Sequence, residues 1–401
     1  MNDRGPRRCA LGGVAMALAG AVGCRPASRP VPEPPSPVVT VPPQATRVAR
    51  TLVASMPASA RPVGSFPDGD VLVLDEDVPG LRRLRPDGGV AWTAAWSGEL
   101  SLDGNYAGEH DVWIVGRAEG RLRISSSVAF EPVAGDVERP LLLARLDATT
   151  GEVLAARFIT DASYASATLK PAGTDVIVVA KPASDAEVST FHVRRHRPDL
   201  TVSAEVVGEA TWVPMLQVGE DRVCIGSERG RRRPDVDTRT REVWCLDGSL
   251  RGGTRRSMGL DLEILWMRGD RIVAELVSPG SPRFELRIAG RPPLAITGRC
   301  AEPGDHAADP ALTRCPRRAV TAPDGVLGGA HDHVFLVTEV PLDLAGTEIP
   351  VSSPTAVLVD FDREGRLRYS AHPGCDAVTP VEHERAALRC GARFDIVSLA
   401  P

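Results

Sequence analysis

The chain has 401 residues, enough for two average domains or one large all-β domain, and ample aliphatic content for a core. Its formal net charge is -5 and only 4% of its residues are aromatic, so no overall basic character points to nucleic acid. Of the 47 basic residues only Lys170 and Lys181 are lysine, which makes arginine the default cation and lowers the weight of any one arginine cluster.

The first predicted element is a targeting segment. Arg4, Arg7 and Arg8 precede an uncharged stretch, "CALGGVAMALAGAVGC", at 9–24. Rich in Ala and Gly, it falls short of the ~20 apolar residues a comfortable membrane span needs, and it reads as a secretory signal. It ends "AVGC" at 21–24, which resembles the lipobox of bacterial lipoproteins: Val22, Gly23 and Cys24 fit, and Ala21 stands where leucine is usual. The resemblance implies that Cys24 is lipidated and becomes the new N-terminus. The alternative is a plain signal peptide cut nearby. Residues 25–45 hold eight prolines and form an extended, stiff spacer. The expected order is therefore a signal at 1–24, a linker at 25–45 and a folded domain at 46–401, with 37–53 able to supply strands to that domain's far end.

From residue 65 onward one pattern recurs: a turn, an aspartate, then four or five mostly apolar residues. It stands as "SFPDGDVLVLDE" (65–76), "GEHDVWIVGR" (108–117), "LKPAGTDVIVVAKP" (169–182), "VGEDRVCIGSE" (218–228), "MRGDRIVAELV" (267–277) and "GAHDHVFLVTE" (329–339). The aspartates are Asp70, Asp111, Asp175, Asp221, Asp270 and Asp332. Each echo is followed by a strand, a tight polar turn and another strand, as in "LLLARLDATTGEVLAARFI" (141–159), and most are preceded by a further short strand. Four antiparallel strands recurring every ~40–50 residues have the size of a β-propeller blade. No sustained 3.6-residue period predicts a long helix. "GARFDIVSL" (391–399) is a seventh echo, expected to provide the inner strands of a last blade whose two outer strands come from 37–53. Seven blades are expected, with six the main rival. The repeats resemble the degenerate repeats of bacterial outer-surface and periplasmic propellers over 37–401.

Six cysteines lie in the domain: Cys224, Cys245, Cys300, Cys315, Cys375 and Cys390. In an exported chain an even number reads as disulfides, and spacing favours neighbours: 224 with 245, 300 with 315, 375 with 390. None forms a CxxC, so no zinc-type spacing exists. His331, Asp332 and His333 are weighed as metal ligands and read as a solvated strand start. Asp360, Asp362 and Glu364 resemble the start of a calcium loop, but Ala371 stands where the closing acid belongs, and a hairpin turn is the better reading. His192 and His196 match no ligand motif. No GxSxG, HExxH or phosphate-cradling loop occurs, so no catalytic residue, metal or cofactor is assigned.

The most unusual segment is "ERGRRRPDVDTRTRE" (228–242), with Arg229, Arg231, Arg232, Arg233, Arg239 and Arg241 between Cys224 and Cys245. It is either a solvated hairpin tip or an anion-binding loop. The expected function is a lipid-anchored envelope protein, outer-membrane or periplasm-facing, that binds or scaffolds through a propeller. Its partner is an acidic envelope component or another protein, and not nucleic acid. The alternative is a propeller hydrolase or lyase with a site at the channel mouth.

Overall fold

Each echo folds as a strand because its aspartate and turn residues end one strand and its Val/Ile/Leu run starts the next. In the computed structural model, residues 45–399 are described apart from 76–78, 126–127, 132–136, 187, 219–221, 231–239, 259–261, 269–270, 278–282, 289–292, 299–316, 322–331, 339–340, 352, 362–365 and 382–384. The described residues contain strands and turns and no helix.

The strands form seven sheets, in which sequential strands pair antiparallel as a meander. Sheet one is Ala60–Ser65, Val71–Asp75, Gly80–Leu84 and Val90–Ala95. Sheet two is Ser97–Ala107, Asp111–Arg123, Leu141–Asp147 and Val153–Ile159, and sheet three Tyr164–Ala172, Asp175–Pro182, Ser189–His196 and Val202–Ala210. Sheet four is Trp212–Val218, Arg222–Arg229, Thr240–Asp247 and Thr254–Met258. Sheet five is Leu262–Arg268, Arg271–Val277, Arg283–Ile288 and Leu294–Gly298. Sheet six is Arg317–Thr321, Asp332–Thr338, Thr355–Phe361 and Leu367–Pro373. Sheet seven joins Cys375–Val381, Arg385–Cys390 and Arg393–Ser398 to the N-terminal strand Leu52–Pro57. Successive four-stranded meanders of this kind are the sheet order of a β-propeller.

Two details differ from the sequence reading. The seventh echo is the third strand of its sheet, not the second, because Arg385–Cys390 occupies the echo position. The N-terminus therefore gives sheet seven one outer strand rather than two, while Thr46–Arg47 pairs in parallel with Arg368–Tyr369 of sheet six. Residues 117–123 continue a long strand of sheet two, with Ala129–Phe130 pairing back on it. Between two strands of sheet six the chain also sends a hairpin, Leu342–Leu344 and Thr347–Ile349, onto the outer edge of sheet five.

Packing explains why the echo strands are apolar throughout. A strand buried on both faces has no solvent side and loses the polar half of its alternation. Val71 and Val73 pack toward Ala387 and Ile396 of sheet seven, and Leu72 between them packs toward Val112 and Ile114 of sheet two. Val176 and Val178 meet Trp113 and Leu143 of sheet two, whereas Ile177 and Val179 meet Val223 and Ile225 of sheet four. Equivalent clusters join sheet five to six and six to seven. First strands lie innermost. Asn105 Nδ2 donates to the Val63 carbonyl at 2.9 Å, and a side chain at Gly104 would stand 3.1 Å from the Leu169 amide nitrogen. Leu52, Val90, Leu154, Val202 and Val207, all on fourth strands, are exposed.

The echo aspartate has a structural task. In sheets one, two and three it holds an arginine on the third strand: Asp70–Arg83 at 2.6 Å, Asp111–Arg145 at 2.9 Å and Asp175–Arg195 at 2.7 Å. The register is the same each time, for these arginines pair with Leu72, Trp113 and Ile177, each two residues past its aspartate. Arg83 then donates to the Ala148 carbonyl of sheet two at 2.7 Å, and Arg195 to the Gly248 carbonyl of sheet four at 2.5 Å. Ala148 and Gly248 occupy the same place, directly after Asp147 and Asp247 at the turn between third and fourth strands. A second arrangement joins sheets six and seven. Asp360, fully buried, receives Arg368 Nε at 2.8 Å and the guanidinium of Arg50, which also donates to the Leu399 carbonyl at 2.7 Å.

Two disulfides link directly opposed residues: Cys224 with Cys245 in sheet four and Cys375 with Cys390 in sheet seven. Cys300 and Cys315 lie outside the described residues.

The clamp predicts unequal sensitivity to loss of arginine. Arg83→Met removes a largely buried cation and strands Asp70, which should cost about 3 kcal/mol. Arg393→Met removes an exposed partner of Asp395 and should cost ~0.5 kcal/mol or less. Equal shifts in urea unfolding for the two variants would remove the clamp from the account. For the cysteines, non-reducing peptide mapping of exported protein should recover 224 with 245, 375 with 390, and 300 with 315; a peptide joining 224 to 300 would overturn the neighbour pairing.

Candidate functional site

Of the six arginines proposed as an anion site, Arg229 and Arg241 are described, and both already face carboxylates. Arg241 Nε donates to Glu228 at 2.7 Å, while Arg229 lies 3.6 Å from Glu242 and 3.8 Å from Glu209. They close the base of the loop rather than offer free charge. Arg231, Arg232, Arg233 and Arg239 lie outside the described residues, as do His331, Asp362, Glu364 and the lipidation candidate Cys24.

Two local readings are corrected. His333 is buried, 3.8 Å from Asp360, and is no solvated strand start. Asp360 lies inside a strand of sheet six rather than in a hairpin turn, and its oxygens are taken by Arg50 and Arg368. Among the described residues no group of three or more His, Cys, Asp or Glu is placed to hold a metal ion. On the described inner strands the one ionic feature with both partners largely buried is Asp103, which receives Arg117 through two hydrogen bonds of 2.7 and 2.9 Å. Burial pushes the Asp103 carboxyl above the usual carboxylate range, and Arg117 offsets only part of that.

One cleft among the described residues lies on the outer side, between sheets two and three. It encloses about 340 Å³ and is lined by Leu143, Arg157, Phe158, Ile159, Thr160 and Asp161 of sheet two and its following turn, and by Arg194, His196, Leu200, Val202 and Glu205 of sheet three. The strand "FHVRRH" (191–196) builds its floor. With a period of two, His192, Arg194 and His196 face sheet two, while Val193 and Arg195 face sheet four. Each nitrogen of Arg194 has a partner: Nε donates to Glu205 at 2.9 Å, one terminal nitrogen to the Tyr164 hydroxyl at 3.1 Å, and the other to Asp161 at 2.6 Å. Burial and the Asp161 carboxylate together push the Tyr164 phenol up to about 12. Burial raises the Asp161 carboxyl, but the bonds from Tyr164 and Arg194 outweigh it and leave the group below the usual range. Glu205 is held low in the same way, against burial, by His192 and Arg194.

His196 differs from its neighbours. Its Nδ1 stands 3.2 Å from the Leu200 carbonyl, its ring is 2% exposed, and Nε2 has no partner among the described residues. Burial, helped by the charges of Arg194 and Arg157, pushes its pKa below the ordinary histidine value, so the ring is neutral at neutral pH. Leu200, whose carbonyl holds the ring, has a φ of 65°, a left-handed conformation that costs a leucine strain. Sequence reading passed over these residues because it looked for ligand spacing. The available signal was the alternation in "FHVRRH", which sets three polar side chains on one face of a strand otherwise written for a core.

No family model and no curated protein matches the chain. Among solved structures, the β-propeller domain of Myceliophteria thermophila Cps50 (Swd1) is similar at 12% identity and a TM-score of 0.43, over 87% of this chain and 99% of that one. The quinohemoprotein alcohol dehydrogenase of Comamonas testosteroni is similar at 11% identity and a TM-score of 0.42. That match covers 84% of this chain and 65% of the dehydrogenase, so the chain spans about two thirds of that enzyme's length. The Dos1 propeller is similar at 9% identity and a TM-score of 0.39, over 87% of this chain and 79% of that one.

Proposed function

We propose that this chain is an exported, lipid-anchored protein of the cell envelope, whose seven sheets form a closed propeller ring that binds an acidic envelope component or a protein partner. The observation that carries the reading is the uneven distribution of connections. In an antiparallel meander, the links between first and second and between third and fourth strands fall at one end of the sheet. The link between second and third strands, and the passage to the next sheet, fall at the other. The first end holds short polar turns, several of them clamped by the Asp–Arg pairs, and one longer connection at 322–331. The second end receives 124–140, 230–239, 299–316 and 339–354, four of the five longest connections in the domain. Binding residues concentrate on such connections when a rigid scaffold positions them.

Export is supported by the segment at 9–24 and is compatible with the two disulfides. Among the described residues no helix is long and apolar enough to cross a membrane, and the proposed attachment is the lipid on Cys24. The arginines at 231–233 supply paired donors suited to carboxylate or phosphate. The reading is therefore of a stiff ring held off the bilayer by 25–45, with its loop-bearing end as the contact surface.

Two outcomes are expected. Wild-type protein should take up labelled palmitate and partition with membranes, and Cys24→Ala should lose the label and become soluble; unlabelled wild type would refute the anchor. Pull-down from solubilised envelope should recover a partner that is lost at high salt. Changing Arg231, Arg232 and Arg233 together to Ser should weaken that capture with the Tm unchanged. Identical partner sets for both proteins at both salts would leave the loop as a solvated hairpin tip.

A further inference from the structure

We propose that residues 45–51 form an acid-sensitive latch between sheets six and seven, which lets go when His372 takes up a proton. The segment is held from three directions. Ala45 N–H donates to Thr347 Oγ1, on the hairpin laid over sheet five, at 2.9 Å. Val48 N–H donates to the Tyr369 carbonyl of sheet six at 2.8 Å, and the Thr51 carbonyl accepts from Ser398 N–H of sheet seven at 2.9 Å. Between those last two ties only Ala49 and Arg50 span from one sheet to the next. The Arg50 side chain is 1% exposed and turns inward to Asp360 and the Leu399 carbonyl. A guanidinium so enclosed is held only while the charges around it balance.

His372 belongs to that balance. It lies opposite Ala356, as Ser370 lies opposite Leu358 and Arg368 opposite Asp360. Directly opposed residues share a face of a sheet, and Ala356 and Leu358 pack toward Leu388 and Val397, so this face looks at sheet seven. It also carries His333, opposite Asp360. Sheet seven contributes Asp395, which accepts from Ser55 Oγ at 2.7 Å and pairs with Arg393. The N-terminal segment contributes Arg50 and Arg47, whose charges act on His372. Both carboxylates thus already face cations, Asp360 those of Arg50 and Arg368, and Asp395 that of Arg393. The printed contact of the His372 ring is to a hydroxyl, with Nε2 3.1 Å from Ser370 Oγ. A proton on His372 would add a cation beside Arg50 and Arg47 without a carboxylate of its own. Burial holds His372 below the ordinary histidine value of 6.5, Arg50 and Arg47 push the same way, and Asp395 offsets part of it. Once the segment lets go, the ring is better solvated and both arginine charges move away, so the open form binds the proton more tightly. The closed form is therefore fully favoured above pH 6.5 and loses ground as the pH falls below it.

The test is hydrogen exchange of the full-length protein between about pH 7.5 and about pH 5, read by mass spectrometry and corrected for the intrinsic rate at each pH. Peptides containing Val48 and Ser398 should lose protection as the pH falls, by at most about tenfold per pH unit, the limit for one proton. Peptides from Asp175–Pro182 in sheet three should keep theirs. His372→Gln keeps a hydrogen-bonding group near the place of Nε2 and cannot take up a proton, so its latch should stay protected at the acid end. Wild-type protection that does not change with pH, a loss that spreads equally to sheet three, or a loss that persists in His372→Gln would overturn the latch. His372→Asn supplies the same neutral comparison should His372→Gln fail to fold. None of these outcomes depends on the lipid anchor or on the arginine loop, so the two readings fail separately.

Discussion

Apolar sheets stacked face to face attract one another without direction, and nothing in that attraction stops one sheet from sliding over the next. The guanidinium of Arg83, gripped by Asp70 on its own sheet and donating to Ala148 on the neighbour, supplies the missing direction. The planar fork of five donors holds a carboxylate and a carbonyl at once in fixed directions, which the three donors on lysine's single rotating nitrogen do not reproduce. The Ala148 carbonyl takes a second bond from the indole of Trp92, also of sheet one, so two donors from one sheet fix one acceptor on the next. Arg195 repeats the device toward sheet four. In sheet two the aspartate and arginine are kept, but Arg145 lies toward the Trp113 ring.

The turns between third and fourth strands are shaped for the same junctions. In sheets three and four the third turn residue is a leucine in left-handed conformation, Leu200 and Leu250, each buried against the preceding sheet. In sheet two the corresponding turn has Gly151 at a φ of 74°, and a side chain there would collide with Trp92 at 2.6 Å. One space between sheets is filled from either side: by a leucine from the following turn, or by a tryptophan from the sheet before. The strain at Leu200 and Leu250 is the conformational cost of the first solution, of order 1–3 kcal/mol each, offset by burial of a leucine side chain.

How much of this could be read from the sequence follows from what each feature depends on. The echo strands were legible because burial on both faces writes itself as a run of Val, Ile and Leu after a turn. The aspartates were visible as a repeat, but their partners were not, since Arg83 and Arg195 are 13 and 20 residues away and reach acceptors on another sheet. The last sheet was misread by one strand because "RAALRC" lacks the aspartate and turn that mark the other echoes. The hairpin at 342–349 went unseen, since pairing with a strand some 45 residues earlier leaves no local trace. Asp360 looked like part of a turn, and only the fold shows it buried under Arg50.

Arg50 has a mechanical consequence. It stands between a strand added to sheet six and a strand added to sheet seven, and its side chain reaches Asp360 in one and the Leu399 carbonyl beyond the other. A pull applied from the N-terminal side would enter the folded domain through this segment. The strand Leu52–Pro57 lies antiparallel to Arg393–Ser398, so tension along it loads the hydrogen bonds between them in shear, all together, rather than peeling them one at a time. The pairing of Thr46–Arg47 takes the load first, and Arg50, upstream of Leu52–Pro57 and enclosed by protein, takes it next. The joint that completes the last sheet is thus also one that such a pull would load, and its rate of opening under force, rather than its equilibrium stability, would limit how long the sheet stays complete.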